Sequence, residues 1–230
     1  MKLAILMPVY NEEKRLKSVI DDLAKTDYDY MIVDDGSCDN TWNIIRDCAN
    51  WFVTYRPNKG KGHAIKIGAE RLIKAGYDYI LIMDGDGQTS IKDITSFIHA
   101  QKVVPNAKII IGNRLWSPKG MPKIRYLINR VVSFIISKLA GIDIPDTQCG
   151  FRLVHKDVFN IETKCSRFEY ESEILVKLGI LGEKIESIPI ECIYFKDRKS
   201  KINYIKDTLR LIKMIWRIYN EMSLLSEKNT

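Results

Sequence analysis

The stretch Tyr79-Ile80-Leu81-Ile82-Met83-Asp84-Gly85-Asp86-Gly87-Gln88 places a short apolar run directly before two carboxylates and an amide. The length and β-branched content of residues 79–83 predict a buried β-strand. Open α/β sheets bind their ligands at the carboxyl ends of strands, which is where these polar side chains stand. Asp84 and Asp86 are two residues apart and therefore project the same way in extended backbone. The two glycines let the chain bend and a bulky ligand come close.

A hard divalent cation suits this pair of carboxylates. Mg²⁺ or Mn²⁺ is commonly held by one or two carboxylates and completed by water and substrate phosphate oxygens. Because Gln88 can add a neutral oxygen, the predicted metal ligands are Asp84, Asp86 and Gln88. An ordinary polar turn is the competing interpretation, since Asp-Gly pairs are frequent in turns. The motif alone leaves both interpretations open.

Strand-like and helix-like segments alternate outward from this motif. Apolar runs at 3–7, 30–33, 52–55, 79–83 and 108–111 predict strands, and the intervening segments at about 12–25, 41–49, 63–74 and 91–104 predict helices. This alternation indicates a parallel, doubly wound α/β sheet with its polar loops on one edge. The second half is less regular, with helices expected at about 122–140, 170–180 and 204–224 and strands near 149–153 and 185–194.

The length and composition are those of one globular domain with a sizeable core. The chain has 230 residues, of which 46% are hydrophobic and 28% charged. Its start lacks a signal-peptide pattern, and no run reaches the roughly 18 apolar residues of a membrane helix. The five cysteines are odd in number and lack CxxC spacing, which fits a reduced compartment and predicts no zinc site. We therefore expect a cytoplasmic protein.

The net charge of +7 is unevenly distributed. The tail from residue 196 to residue 230 has nine Lys or Arg residues against four Asp or Glu residues. Between Asp93 and Asp143 there is no acidic residue, although eight Lys or Arg residues lie there. Both regions indicate an anionic partner, and the candidates are substrate phosphates, an anionic membrane surface and nucleic acid.

Polar loops follow the other predicted strands as well, at Tyr10-Asn11-Glu12, Asp34-Asp35-Gly36-Ser37 and Gly60-Lys61-Gly62. These three loops can accept the base, the ribose and the phosphates of a nucleotide, respectively. A capped strand-to-helix turn gives the same pattern. The sequence has neither GxGxxG after the first strand nor GxxxxGK[ST]. Neither a dinucleotide cofactor nor a P-loop is therefore predicted.

Five loops in this order resemble those of the family 2 glycosyltransferases with the GT-A fold. They are Pro8-Val9-Tyr10-Asn11-Glu12, Val33-Asp34-Asp35-Gly36-Ser37, Asn58-Lys59-Gly60-Lys61-Gly62, Asp84-Gly85-Asp86-Gly87-Gln88 and Gly112-Asn113-Arg114. The second half is most similar to the dolichyl-phosphate and polyprenyl-phosphate hexose synthases. That likeness is carried by Asp146-Thr147-Gln148-Cys149-Gly150-Phe151-Arg152, by residues 168–175, and by Arg198 with Ser200-Lys201. The resemblance covers nearly the whole chain.

The resemblance implies a GT-A domain at 1–202, with a Rossmann-like, doubly wound, mostly parallel sheet, and a basic amphipathic C-terminal helix and tail at 203–230. It implies a metal-dependent, inverting transfer of a hexose from a UDP-glucose or GDP-mannose type of donor to polyprenyl or dolichyl phosphate, with Mg²⁺ or Mn²⁺ as cofactor. The donor sugar is open, because Gln148-Cys149 is closer to the glucosyl branch and the metal motif with Gln88 to the mannosyl branch.

The site residues are implied in the same way. Nucleotide-sugar contacts are expected from Pro8, Tyr10, Asn11, Glu12, Asp34, Asp35, Lys61, Asp84 and Asp86. Phosphate or acceptor contacts are expected from Arg114, Arg125, Arg198 and Lys201, and catalytic roles from Asp86, Asp146, Arg152, Glu171 and Glu173. A solvated surface charge is the alternative role for each basic residue. A hydroxyl acceptor would need a base, for which Asp146, Glu171 and Glu173 are unranked candidates.

Two helical segments bear on the membrane. In the last helix, Ile205, Leu209, Ile212, Trp216 and Tyr219 form an apolar stripe beside Lys206, Arg210, Lys213 and Arg217. This basic amphipathic pattern predicts peripheral binding to the inner face of an anionic membrane, unless the stripe packs on the domain. Residues 122–140 carry Leu127, Ile128, Val131, Val132, Ile135 and Leu139, which fits an interfacial helix, a core helix or a dimer interface.

Other functions remain open at this stage. The same chemistry can act on a hydroxyl of an oligosaccharide or cell-surface glycan. A non-catalytic basic module is a second alternative, but aromatic residues do not follow a nucleic-acid-binding pattern, so no nucleic-acid partner is expected. A sugar nucleotidyltransferase would carry a Gly-rich, Arg-containing loop after the first strand, and residues 8–12 are not such a loop.

Overall fold

The structure, a computed structural model, describes residues 1–195 and 204–227, which form seven strands and seven α-helices. The strands are β1 (Leu3–Val9), β2 (Asp29–Asp34), β3 (Phe52–Thr54), β4 (Tyr79–Ile82), β5 (Ala107–Asn113), β6 (Arg152–His155) and β7 (Lys184–Pro189). The helices are α1 (Leu16–Leu23), α2 (Thr41–Cys48), α3 (Lys61–Lys74), α4 (Ile94–Val103), α5 (Lys123–Ala140), α6 (Glu169–Ile180) and α7 (Tyr204–Glu227). The predicted domain boundary at 202/203 and the predicted contacts Arg198 and Lys201 lie outside the described residues.

All strands belong to one sheet with the order β3-β2-β1-β4-β6-β5-β7. The strands are parallel except β6, which is antiparallel to both of its neighbours. The predicted doubly wound, mostly parallel sheet is therefore confirmed. The strand order reverses between β1 and β4, so their carboxyl ends form the switch point at which such sheets bind ligands.

The antiparallel β6 brings an additional loop to this edge. Ile82 at the end of β4 pairs with Arg152 at the start of β6. Residues 146–151, which precede β6, therefore arrive at the same edge as the loops that follow β1, β2 and β4. The strand predicted near 149–153 begins only at Arg152, because the preceding residues turn around the Arg152 side chain, which donates to the carbonyls of Cys149 and Thr147 at 2.6 and 2.7 Å.

The core lies on both faces of the sheet. Residues 4–7 of β1 and 80–82 of β4 are buried, as a parallel strand covered on two sides requires. The amphipathic α1 packs its Leu16, Ile20 and Leu23 side chains into this core. Burying each such side chain stabilises the fold by about 1.5–3 kcal/mol. The core thus fixes the edge on which the polar loops lie.

Helix α7 attaches to the body through a face that the sequence pattern did not indicate. Met214 and Ile218 are buried, and Leu211 and Ile215 pack against the same core. The predicted stripe faces outward instead, with Leu209, Ile212, Trp216 and Tyr219 each more than half exposed. The alternative that this stripe packs onto the domain is therefore wrong. Helix α7 is apolar on two sides.

Helix α5 has the reverse of the usual amphipathic arrangement. Its buried positions are Asn129, Ser133, Ile136 and Ala140, whereas Ile124, Leu127, Val131 and Phe134 are more than half exposed. The buried seam is polar because Ser133 binds the 146–151 loop, accepting from the Thr147 N–H at 2.9 Å. Residues 122–140 are therefore not a helix with its apolar face in the core. Within residues 1–195 and 204–227, no helix is long and apolar enough to cross a membrane.

Candidate active site

The loops after β1 and β2 are joined by hydrogen bonds at the switch point. The Asn11 N–H donates to Ser37 Oγ at 2.9 Å, and the Glu12 N–H donates to Thr41 Oγ1 at 2.7 Å. Asn11 also accepts from the Cys38 N–H at 2.8 Å and has a left-handed backbone with φ of 52°, which asparagine tolerates better than most residues. Tyr10 and Glu12 are partly exposed, and Pro8 is buried.

Asp35 organises the loop that leads into α3, residues 58–60. Its carboxylate accepts from the N–H groups of Lys59 and Gly60 at 2.7 and 2.8 Å, from Asn58 Nδ2 at 2.7 Å and from the Tyr55 hydroxyl at 2.9 Å. Burial and this neighbouring negative charge raise the pKa of Tyr55, which keeps its hydroxyl protonated. Asp35 therefore positions residues 58–60.

The neighbouring Asp34 lies deeper. Its two oxygens accept from the Ser37 N–H and the Thr54 hydroxyl, both at 3.0 Å, and its side chain is buried. Asp34 and Asp35 were both predicted to contact the nucleotide. The structure shows both of them bonded within the protein, and their contact with a nucleotide stays a prediction.

The motif Asp84-Gly85-Asp86-Gly87-Gln88 forms a tight loop after β4. Asp86 is buried and accepts from the Gln88 N–H at 2.9 Å. Gln88 pairs with residue 193 across the loop, since its Nε2 donates to the Ile193 carbonyl at 3.1 Å and its carbonyl accepts from the Ile193 N–H at 2.9 Å. The segment that leaves β7 thus crosses over the motif and fixes it. This crossing is also why the strand predicted at 185–194 ends at Pro189.

Lys61 joins two carboxylates next to this loop. Its Nζ lies 2.8 Å from Asp84 Oδ1 and 3.0 Å from Glu171 Oε2. Burial disfavours the charged ammonium, but the two carboxylates outweigh it and hold the pKa of Lys61 above its ordinary value. Gly150 closes the cluster, because a Cβ there would lie 2.5 Å from Lys61 Nζ and 2.7 Å from Asp84 Oδ2. The cluster brings together residues from α3, β4, α6 and the loop before β6.

The chemistry of this cluster fits a hard cation. Asp84 and Asp86 offer carboxylate oxygens at the edge where a diphosphate would arrive, which is the donor type that Mg²⁺ and Mn²⁺ prefer. The described residues contain no group of three or more His, Cys, Asp or Glu side chains with metal-site geometry. A cation held here would therefore complete its coordination with water and substrate oxygens, as expected for Mg²⁺ sites of phosphate-transfer and nucleotide enzymes.

Two of the predicted functional charges are paired with each other. Asp146 is fully buried, and Arg114 binds it in a bidentate manner, with Nε and Nη2 at 2.8 and 2.9 Å from its two oxygens. Arg152 is also buried and donates to three backbone carbonyls, those of Cys149, Thr147 and Glu171. These bonds hold the 146–151 loop in place, and the catalytic and phosphate-binding roles of the three residues stay predictions.

Glu171 and Glu173 diverge, because two residues of α-helix correspond to a rotation of about 200°. Glu171 faces Lys61, and its buried Oε1 has no hydrogen-bond partner among the described residues, with Arg152 Nε 3.7 Å away. Glu173 faces α7, where Arg217 Nη2 lies 2.8 Å from its Oε1. Of the two, only Glu171 lies beside Lys61. The remaining predicted contact, Arg125, lies over the ring of Tyr194 at 5.5 Å.

The segment at residues 164–167, which covers residues 58–62, was not among the predicted site residues. The Ser166 carbonyl accepts from the His63 N–H at 2.8 Å, and Arg167 Nη1 donates to Asn58 Oδ1 at 2.9 Å. Gly60 and Gly62 are needed because the segment comes so close, since a Cβ at Gly60 would lie 2.8 Å from the Ser166 carbonyl oxygen. The Gly-x-Gly spacing was the available signal of close approach.

Comparisons with known proteins agree with this geometry. Residues 4–161 match the sequence model of the family described as "Glycosyl transferase family 2". The chain is 30% identical over 215 residues to UDP-N-acetylglucosamine--dolichyl-phosphate N-acetylglucosaminyltransferase of Methanococcus voltae, covering 83% of this chain and 85% of that protein. It is 31% identical to a dolichyl-phosphate beta-glucosyltransferase of Trichomonas vaginalis, covering 92% of this chain and 72% of that protein.

A solved structure shares the fold. Glucosyl-3-phosphoglycerate synthase from Mycobacterium tuberculosis, in complex with Mn²⁺, uridine-diphosphate and glucosyl-3-phosphoglycerate, matches with a TM-score of 0.70 and 16% identity. The match covers 94% of this chain and 79% of that chain. The predicted GT-A fold is confirmed.

Proposed function

Because the chain belongs to glycosyl transferase family 2 and is a glycosyltransferase, we propose that it transfers a hexose, with inversion, from a nucleotide sugar to a polyprenyl or dolichyl phosphate. The observation that carries this proposal is the Lys61–Asp84–Glu171 cluster beside Asp86 at the switch point. It lies between the loops that suit a nucleotide and the loop before β6. The names of the relatives, which act on dolichyl phosphate, support the acceptor.

The donor lies across the loops after β1 and β4 in this proposal. Pro8, Tyr10, Asn11 and Glu12 contact the nucleoside, and Asp84, Asp86 and Gln88 hold Mg²⁺ or Mn²⁺ with the diphosphate. A bound cation supplies neutralisation of the charge that develops on the departing diphosphate. Asp35 acts through residues 58–60, whose position its four hydrogen bonds fix.

Lys61 and Glu171 orient the reacting end of the donor. The ammonium of Lys61 holds Asp84 by its Oδ1 and adds positive charge next to the diphosphate. Glu171 Oε2 lies 3.0 Å from Lys61 Nζ, so Glu171 helps to hold this ammonium beside Asp84.

A phosphate acceptor is compatible with the positions of the remaining carboxylates. Its oxygen is already anionic near neutral pH and needs little help from a base. Asp146 and Glu173, which are buried and paired with Arg114 and Arg217, then need not accept a proton. Arg125, Arg198 and Lys201 remain the proposed contacts of the acceptor phosphate. The acceptor attacks from the face opposite the diphosphate.

Peripheral binding to an anionic membrane is the second part of the proposal. Two outward apolar faces support it, one on α5 (Ile124, Leu127, Val131, Phe134) and one on α7 (Leu209, Ile212, Trp216, Tyr219). Basic residues flank both faces, and no acidic residue occurs between Asp93 and Asp143. An apolar face with flanking cations is the pattern of helices that lie in the membrane interface.

A donor screen tests the transfer. Purified protein is incubated with Mn²⁺, a polyprenyl phosphate and radiolabelled UDP-glucose, UDP-N-acetylglucosamine or GDP-mannose, and the product is extracted into organic solvent. We expect label in the organic phase with one donor. Label transferred only to a soluble oligosaccharide would favour the hydroxyl-acceptor alternative. The absence of transfer from every donor to both acceptors would contradict the proposal.

A further inference from the structure

Glu173 is a fully buried carboxylate with four partners. Its oxygens accept from the N–H groups of Lys164 and Cys165 at 3.2 and 2.8 Å, and they lie 2.8 Å from Arg217 Nη2 and 3.3 Å from Lys177 Nζ. Burial disfavours its charge, but bonds from Cys165 and Lys164 and the charge of Arg217 outweigh burial and lower the pKa of Glu173. A carboxylate buried this completely is tolerated only because its partners are all present.

One side of Glu173 leads to the donor loop. The backbone that it holds, Lys164-Cys165, continues into Ser166 and Arg167, which bind the start of α3 and Asn58 as described above. The same backbone is also held by Lys66, whose Nζ donates to the Cys165 carbonyl at 3.3 Å. Asn58 in turn binds Asp35, and Lys61 follows three residues later. Movement of residues 164–167 would therefore move the loop that carries Lys61.

The other side of Glu173 leads to α7. Arg217 follows the exposed Trp216 directly, and it is a charged side chain of α7 that reaches a fully buried acceptor. Lys164 and Glu221 make a second link between the same two segments, with Lys164 Nζ 2.9 Å from Glu221 Oε1, but that ion pair is at the surface. Surface pairs of this kind contribute about 0–1 kcal/mol, so the Arg217–Glu173 pair carries the connection.

We infer that Glu173 is a positioning residue, and that through Arg217 it makes the placement of the donor loop, residues 58–62, depend on the seating of α7. With α7 seated, Arg217 neutralises Glu173, which holds residues 164–165 and hence the cover of the donor loop. When α7 is displaced, the buried carboxylate loses its principal countercharge and the cover loosens. The inference rests on the proposed function in taking the donor to be a nucleotide sugar.

The test compares three variants of the full chain. Arg217→Met removes the charge and the donors but keeps an apolar stem, Arg217→Lys restores the charge, and Lys164→Met removes only the surface pair with Glu221 while keeping the Lys164 N–H. The affinity for UDP and for GDP with MnCl₂ is measured by calorimetry, and KM for the donor and kcat by the transfer assay. Hydrogen exchange is followed at the amides of residues 58–63 and 164–166.

We expect Arg217→Met to weaken binding of the preferred nucleotide roughly 5- to 20-fold, in the lower part of the usual range of coupling between sites. KM for the donor rises in parallel, while kcat at saturating donor changes less than about threefold. Exchange at residues 58–63 accelerates. Arg217→Lys recovers most of the affinity, and Lys164→Met resembles the wild type.

Two results overturn the inference. One is Arg217→Met with a lowered melting temperature but unchanged nucleotide affinity and exchange at residues 58–63, which would make the pair purely structural. The other is an equal effect of Lys164→Met. Failure of the wild type itself to bind either nucleotide would instead contradict the proposed function, and the inference with it.

Discussion

On the β1–β2–β3 side of the switch point, Asp35 is held by neutral donors, whereas on the β6–α6 side Asp146 is held by the buried guanidinium of Arg114. Asp35 receives the N–H groups of Lys59 and Gly60, but Asp146 receives the guanidinium of Arg114. Removing a neutral donor leaves a modest deficit, while removing one partner of a buried ion pair leaves an uncompensated charge. Losing Arg114 should therefore cost more stability than losing one of the donors to Asp35.

The largest effect is expected at the boundary between the two sides. Asp86→Ala removes a carboxylate that the proposed cation needs, so we expect transfer to fall by roughly 10³-fold or more, as when a group that stabilises developing charge is lost. The melting temperature should change little. Asp157→Ala, at an exposed residue paired with Lys108, is the matched control. Turnover of Asp86→Ala near the wild-type rate would end the assignment of this motif to the metal and diphosphate.

Breaking the buried ion pair between Arg114 and Asp146 should lower the stability of the fold. Arg114→Met leaves Asp146 buried without its countercharge, and we expect the free energy of unfolding to fall by about 3–5 kcal/mol. Urea denaturation measures it. Arg125→Met, at a partly exposed residue, should fall within about 1 kcal/mol of the wild type. If Arg114→Met were as stable as the wild type and only its acceptor KM rose, Arg114 would be a phosphate contact after all.

The exposed apolar face of α5 distinguishes the two sides in another way. Phe134→Ser removes about 1.5–3 kcal/mol of apolar burial at a membrane, so binding to vesicles should weaken roughly 10-fold or more. Flotation with phosphatidylglycerol-containing vesicles measures it. Val103→Ser at the end of α4, an equally exposed apolar residue outside both faces, is the control. Equal losses for the two variants would mean that the α5 face is not the docking surface.

The smallest effect concerns acid. The pKa of Glu173 is lowered from its ordinary value of 4.5, so its ionised form stabilises the fold above that value and the benefit is lost as the pH falls through the lowered pKa. The difference in unfolding free energy between the wild type and Glu173→Gln should therefore be full at pH 7 and shrink below pH 4.5. Urea denaturation at pH 7, 5 and 4 measures it. A difference that grew toward low pH would contradict this sign.

The fold and the gathering of the polar loops at one edge of the sheet could be predicted because their signals are local. The strand at 79–83 and the polar residues that follow it occupy ten consecutive positions, and the parallel sheet brings such loops to one edge without further information. The pairing of Arg114 with Asp146 spans 32 residues and depends on the antiparallel β6, which the alternating pattern did not reveal. The sequence therefore could not show that these two charges pair with each other.

The helices show a second limit of the sequence. Helix α7 carries apolar residues on two sides, so periodicity could not decide whether Trp216 or Met214 faces the body. In α5 the polar seam is buried because Ser133 and Thr147 meet across the interface, which no local pattern encodes. Only the packing of the second half distinguishes Glu171, which lies beside Lys61, from Glu173.

The bond between Ser133 and Thr147 fixes the position of α5 relative to the loop before β6. Thr147 lies in the loop before β6, and Ser133 is the buried neighbour of the exposed Phe134 on α5. The bond therefore ties the exposed apolar face of α5 to the edge of the sheet that carries the proposed active site. If α5 binds a membrane through this face, its insertion depth would set the distance between a lipid phosphate in the membrane and a donor bound at the proposed active site.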